Sequence, residues 1–175
     1  MKGLIPVTLL VALLAPGCVE PQDSPRAATD PAITEAVDTA DVGVDEPADQ
    51  VVYVPTYSHI YIQDGDRDFD LTATLSVRNT DPENPITIRR IRYFNSEGQV
   101  VRSYLTKPRI LGPLSSMAVV IEERDRTGGV GANFLVAWGS DLEVSQPVIE
   151  AVMISTASSQ GISFVSRGVV VRPLP

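Results

Sequence analysis

The sequence predicts an all-β domain, an immunoglobulin-like antiparallel β-sandwich of about eight strands, and three observations carry the prediction. From Val51 onward apolar and polar residues alternate at period two. The alternating runs are five to nine residues long, and clusters of Gly, Pro, Asn or Asp separate most of them. No stripe of helical period competes over a useful length. A β-barrel is the alternative that this pattern leaves open.

Residues 1–17 do not belong to that domain. Lys2 supplies a positive start, and Leu4 to Leu14 form an apolar run of eleven residues followed by Ala15, Pro16 and Gly17. Such a run is too short to span a bilayer, which takes about 20 residues, and the order of its parts reads as a secretory signal. Cys18 is the chain's single cysteine, which excludes an intrachain disulfide. Its place after Leu14-Ala15-Pro16-Gly17 resembles the lipobox of bacterial lipoproteins, with Pro16 where a small residue is commoner. The resemblance implies an acylated Cys18 that holds the chain to a membrane, since each buried CH₂ contributes about 0.8 kcal/mol. Val19 follows the cysteine. In that position an Asp would favour retention at an inner membrane, so the expected address is the cell envelope, on the outer membrane facing the periplasm.

Residues 18–50 read as a tether. From Val19 to Gln50 nine acids stand against one base, Arg26, with no aromatic residue, a composition that does not form a packed core. The segment accounts for the whole net charge of −8. From Val51 on there are twelve bases and thirteen acids, so the low isoelectric point describes the tether and not the surface of the domain.

The domain, residues 51–175, begins with a strand that runs through Ser58-His59-Ile60-Tyr61-Ile62-Gln63. Phe69 to Val77 is the clearest strand, with Leu71, Ala73, Leu75 and Val77 on one face and Thr72, Thr74 and Ser76 on the other. Asn79 to Pro85 (NTDPENP) is a turn cluster. In ITIRRIRYF, Ile86 and Ile88 fall on one parity and Ile91 and Tyr93 on the other, which predicts a bulge near Arg89 and Arg90. NSEG is a turn, and QVVRSYL, SMAVVIEE, NFLVAW, VIEAVMIST, GISFV and GVVVR are further strands. Trp138 closes NFLVAW and is expected in the core. The sequence leaves open whether Val169 to Pro175 pairs as an edge strand.

Several blocks resemble a known family: VYVPTYSHIY, DLTATLSVRNTDPENPITI, VRSYL, GPLSS, GGVGANFLVAW and PVIEAVMISTASSQGISFVSRG. They look like a bacterial exported family catalogued as domain of unknown function 3124, over Val51 to Arg167. The resemblance implies export or a lipid anchor, and it brings no catalytic residues with it.

Candidate chemistry is sparse. His59 is the only histidine, so a zinc site lacks ligands. A Ser-His nucleophile requires both groups within hydrogen-bond reach. Ser58 precedes His59, and neighbours on a strand point to opposite faces, which leaves Ser158 or Ser159 as partners for an envelope hydrolase. Asp64, Asp66, Asp68 and Asp70 alternate on DGDRDFD, and loop carboxylates are what Ca²⁺ takes. The EF-hand pattern fails, because Phe69 stands at its glycine position and Leu75 at its final glutamate position. Thr127 to Asn133 is glycine-rich but joins two strands, so it reads as a hairpin loop and not a phosphate cradle. Period two splits Arg89, Arg90 and Arg92, and nucleic acid is not an expected partner.

If successive strands alternate direction, the loops Gln63–Asp68, Asn95–Gly98, Glu122–Ala132 and Ala157–Gly161 gather at one pole, with His59 nearby. The candidate ligand-binding residues are then His59, Asp64, Asp66, Asp68, Glu122, Asp125 and Gln160, because a rigid scaffold presents mobile loops there. The expected function is a non-catalytic interaction domain, without a cofactor, anchored to a lipid bilayer through Cys18 and facing an envelope protein. A calcium or small-ligand sensor using Asp64, Asp66 and Asp68 is the second reading, and a hydrolase using His59 the third.

Overall fold

In the computed structural model the alternation of the sequence becomes two facing layers. The structure describes residues 50–156 and 161–172. The expected signal peptide, the acylated Cys18 and the acidic tether as far as Asp49 lie outside these residues, as do Ser158, Ser159 and Gln160.

The elements are β1 (Gln50–Pro55), β2 (His59–Ile62), β3 (Arg67–Asp70), β4 (Thr72–Arg78), β5 (Ile86–Phe94), β6 (Val100–Ser103), β7 (Arg109–Leu111), β8 (Ser116–Ile121), β9 (Asn133–Gly139), β10 (Val148–Ser155), β11 (Ile162–Arg167) and β12 (Val169–Arg172). One layer has the order β12-β1-β9-β5-β6, with β7 also on β5, and the other has the order β11-β10-β4-β8. The pair β2-β3 stands as a separate ribbon. All pairings are antiparallel. The chain is thus an all-β sandwich of two open sheets.

Between the layers lie Val54, Leu75, Ile91, Phe134, Val136 and Met153, all fully buried. Each large side chain removed from water in this way contributes about 1.5–3 kcal/mol. Trp138 is buried in the same core, and its indole N–H donates to Gln50 Oε1 at 3.1 Å. Gln50, expected at the end of the tether, is therefore the first residue of β1. The predicted bulge is present: the β5–β9 register shifts between Ile88 and Arg90, which turns Ile91 and Tyr93 inward. Arg90 and Arg92, two residues apart beyond the bulge, share the outward parity, and Arg92 lies over the Phe94 ring at 5.7 Å.

Among the described residues twelve strands replace the expected eight or so, chiefly because two long runs are each divided. Pro55 has no N–H to continue the ladder, and after it the Thr56 amide turns to Ala132 O. Leu71, fully buried, separates β3 from β4, and its amide donates to Ser58 O. Those breaks lift the ribbon out of both sheets. The edge strand is present over Val169–Arg172, where β12 pairs with β1 at the sheet edge, and residues 173–175 lie outside the described residues. The chain reaches β12 from β11, in the other sheet, through Gly168 alone. A Cβ there would stand 2.5 Å from Val52 Cγ1 and 2.8 Å from Ile149 O.

The two poles differ. At one, Asn79 and Asp81 tie loops together. Asn79 Nδ2 donates to Asn84 O, Leu111 O and Gly112 O, and Asp81 accepts from the amides of Glu83, Asn84 and Ser145. Those amides hold Asp81 below the ordinary carboxylate pKa. Gln50 begins β1 at this pole, opposite Trp138 near the end of β9. The ribbon occupies the other.

Candidate functional site

The ribbon pole is assembled from backbone outward. Ser58 donates through both its amide and its hydroxyl to Gly129 O, at 3.1 Å each, and so fastens the ribbon's root to the glycine-rich loop. At the ribbon's tip Gln63, Asp64 and Gly65 have φ of 48°, 60° and 91°. That left-handed stretch reverses the chain within a 3-10 turn at Gln63–Gly65. In the β2–β3 register His59 faces Asp70 and Tyr61 faces Asp68, so these four side chains share one face. The His59 and Tyr61 rings meet edge to face at 5.7 Å, and Tyr61 is 61% exposed.

Across that face lies Arg126, from the β8–β9 loop. Its guanidinium bonds Asp68, and its Nε stands 3.0 Å from Asp70 Oδ1. The hydrogen bond that Arg126 donates to Asp68, with both carboxylates' charge, raises the Arg126 pKa. Two loops remote in sequence thus form one surface.

The same loop is held from beneath. Asp125 accepts from the Thr127 amide and hydroxyl and pairs with Arg102 at 3.1 Å. Arg102 also donates to the Tyr104 hydroxyl at 3.2 Å. Burial pushes the Asp125 pKa up, but the Thr127 bonds and the Arg102 charge outweigh it, and the net shift is downward. Ser96 completes the clasp: its amide and hydroxyl donate to Gly128 O, and its Oγ accepts from the Gly131 amide.

Three of the four loops expected at one pole are therefore joined by direct bonds. Of the fourth, residues 157–160 including Gln160 lie outside the described residues. Its flanking strands point to the same pole, since Ile154 pairs with Thr72 and Ser155 with Ile162. The named candidates do not converge to a point. Asp64 and Asp66 are exposed at the ribbon's tip, Asp68 is taken by Arg126, and Glu122 is exposed where its loop starts. Asp125 faces inward, 16% exposed, beneath the loop. Among the described residues no three His, Cys, Asp or Glu side chains could hold a metal ion together. A turn carries Asp64 and Asp66, a strand carries Asp68 and Asp70, and the Arg126 guanidinium contacts both members of the second pair.

One correction concerns Ser58 and His59. Ser58 sits in a bend before β2 and not on a strand, so alternation does not apply, and its Oγ lies 3.3 Å from His59 Nδ1. The hydroxyl nevertheless gives its one hydrogen to Gly129 O, which leaves Nδ1 as donor in that contact. Ser58 is also fully buried, so this pairing does not activate a nucleophile. Sequence reasoning missed Arg126, Tyr61, Arg102 and Ser96. A signal existed for the first: Asp68 and Asp70 share a strand face and so require a nearby cation.

An antiparallel sandwich carrying a latched ribbon at one pole is the class that this architecture defines. The chain belongs to the family described as "Protein of unknown function (DUF3124)", whose pattern matches residues 49–171. None of the curated proteins compared with it matches. It is similar to a solved structure described as "Crystal Structure of Thermotoga maritima 1070", with 12% identity, a TM-score of 0.43, and coverage of 71% of this chain and 96% of that one.

Proposed function

We propose that this chain is an exported lipoprotein, held to a membrane by an acylated Cys18, whose sandwich is a non-catalytic interaction domain of the cell envelope. The sequence features at residues 1–18 support the anchor, and Val19 favours the outer membrane facing the periplasm. The observation that carries the interaction reading is the Arg126 latch. It fixes the ribbon and the β8–β9 loop as one preformed surface with His59 and Tyr61 on it. Tyrosine and arginine are the residues that supply most binding energy at protein interfaces. The latched pole also lies opposite Gln50, so it faces away from whatever precedes the domain.

Charge narrows the partner. The segments 57–70, 95–98 and 122–132 hold eight acids and three bases, in a domain that is otherwise net positive. A protein with a basic patch fits this pole, and salt should slow their association.

In-cell crosslinking of the lipidated protein, with mass spectrometry of captured peptides, tests this. A reproducible partner crosslinked to the ribbon or to the 122–132 loop, and lost in Tyr61→Ala, is the expected result. An abundant, folded protein that captures nothing would overturn the interaction reading. Radiolabelled palmitate that marks the wild type and Cys18→Ala equally would overturn the anchor.

A further inference from the structure

The outward face of the β11-β10-β4-β8 sheet is unusual for a solvated surface. By alternation its residues on β10 are Val148, Glu150, Val152 and Ile154, where a wet face would be polar. Val120, Ile154 and Val165 on this face are 49%, 44% and 53% exposed. Among the described strand residues of this face only Glu150, Arg78 and Arg167 carry charge.

The face is also divided into a high half and a low half. Registers place Val165, Val152, Thr74 and Val120 in one row across the four strands, and Arg167, Glu150, Ser76 and Ala118 in the next. Large residues thus stand on β11 and β10, and mostly small ones on β4 and β8. A shallow groove of about 600 Å³ runs over the low half, lined by Thr74, Ser76 and Ala118 and walled by Val152 and Ile154.

We infer that this face is a homodimer interface, in which two copies pack face to face about a two-fold axis running along the strands between β10 and β4. That axis sets β10 against the partner's β4 and β11 against the partner's β8. Val152 then meets the partner's Thr74, and Glu150 meets the partner's Ser76, so the high half of each copy enters the low half of the other. Glu150 also comes within one row of the partner's Arg78, and the symmetry makes that opposite-charge approach twice. An isologous contact requires such self-complementarity. Four strands and seven residues give a face of roughly 19 Å by 23 Å. With side-chain relief and rim, that is the area of a small, weak but specific interface. The axis leaves both ribbon poles at one end and both Gln50 residues at the other. The inference stands apart from the proposed function, since it involves neither the ribbon nor Cys18.

Sedimentation of the full chain in mild detergent, over a concentration series, tests it. A reversible dimer is expected, with Val152→Glu weakening it at least about tenfold, a shift of about 1.4 kcal/mol, while the β-sheet circular dichroism is unchanged. Because Val120 and Val165 are separated by two strands within one copy but face each other across the axis, Val120→Cys with Val165→Cys should give an oxidised dimer on a non-reducing gel. Val165→Cys alone should not. A chain that stays monomeric at every concentration overturns the inference. So does a dimer indifferent to Val152→Glu, or a double-cysteine protein that crosslinks no more than the single variant.

Discussion

Gly128 lies directly against Tyr93: a Cβ at Gly128 would stand 1.9 Å from the phenolic oxygen and 2.7 Å from Ala132 Cβ. The Tyr93 hydroxyl beneath it is fully buried and has no hydrogen-bond partner. Burial, with the Asp125 charge adding, raises its pKa, so it stays protonated. Gly128→Ala is expected to destabilise the fold by about 1–3 kcal/mol through overpacking. Tyr93→Phe removes an unsatisfied buried group and should match or exceed wild-type stability. The double variant should recover part of the Gly128→Ala loss, because the phenyl ring still crowds the site. Urea titrations of the three proteins check this, and additive effects would refute the contact.

Gln50 provides a second test. Truncating it to Ala leaves the buried Trp138 N–H without an acceptor, at a cost of about 1–3 kcal/mol. Gln50→Glu keeps an acceptor oxygen and should lose less. Equal denaturation midpoints for Gln50→Ala and wild type would show that the indole finds another partner.

Arg126→Ala should unlatch the ribbon without unfolding the sandwich, since the core packing lies elsewhere. Hydrogen exchange should accelerate at ribbon amides of residues 59–70 and at 125–131, while amides of β9 and β10 keep their protection. Uniform acceleration across the domain would mean that the latch supports the whole fold.

The carboxylates predict an acid limb. Asp81 and Asp125 both have folded-state pKa values below the ordinary one. Their stabilisation is therefore complete above about pH 4, the unfolded value, and is lost as pH falls through the lowered folded values. Wild-type melting temperature should fall from pH 4 toward pH 2, and the gap to Asp81→Asn should close over that window. A gap that persists at pH 2 would assign the effect to packing and not to charge.

The layers of this fold were legible in the sequence because a buried sheet face imposes strict alternation. Leu71 to Val77 and the parity break at Arg89 were both visible for that reason. The ribbon was not, because β1 joins a layer and β2 leaves both, and nothing in their composition marks the difference. The break between them depends on Thr56 and Ser58 bonding a loop some seventy residues away, which local pattern does not encode. The same is true of the site. Gathering of the loops followed from counting strands, whereas the pairing of Arg126 with Asp68 and Asp70 is a tertiary event between two polar segments.

The passage through Gly168 has a consequence for biogenesis. It delivers the last strand described to the flank of the first, so the six-stranded sheet cannot close its margin until nearly the whole domain has emerged. Partners this far apart along the chain make closure a late step. A nascent copy would therefore keep β1 open on one side, and a chaperone that caps exposed strands would find its hold there until β12 arrives.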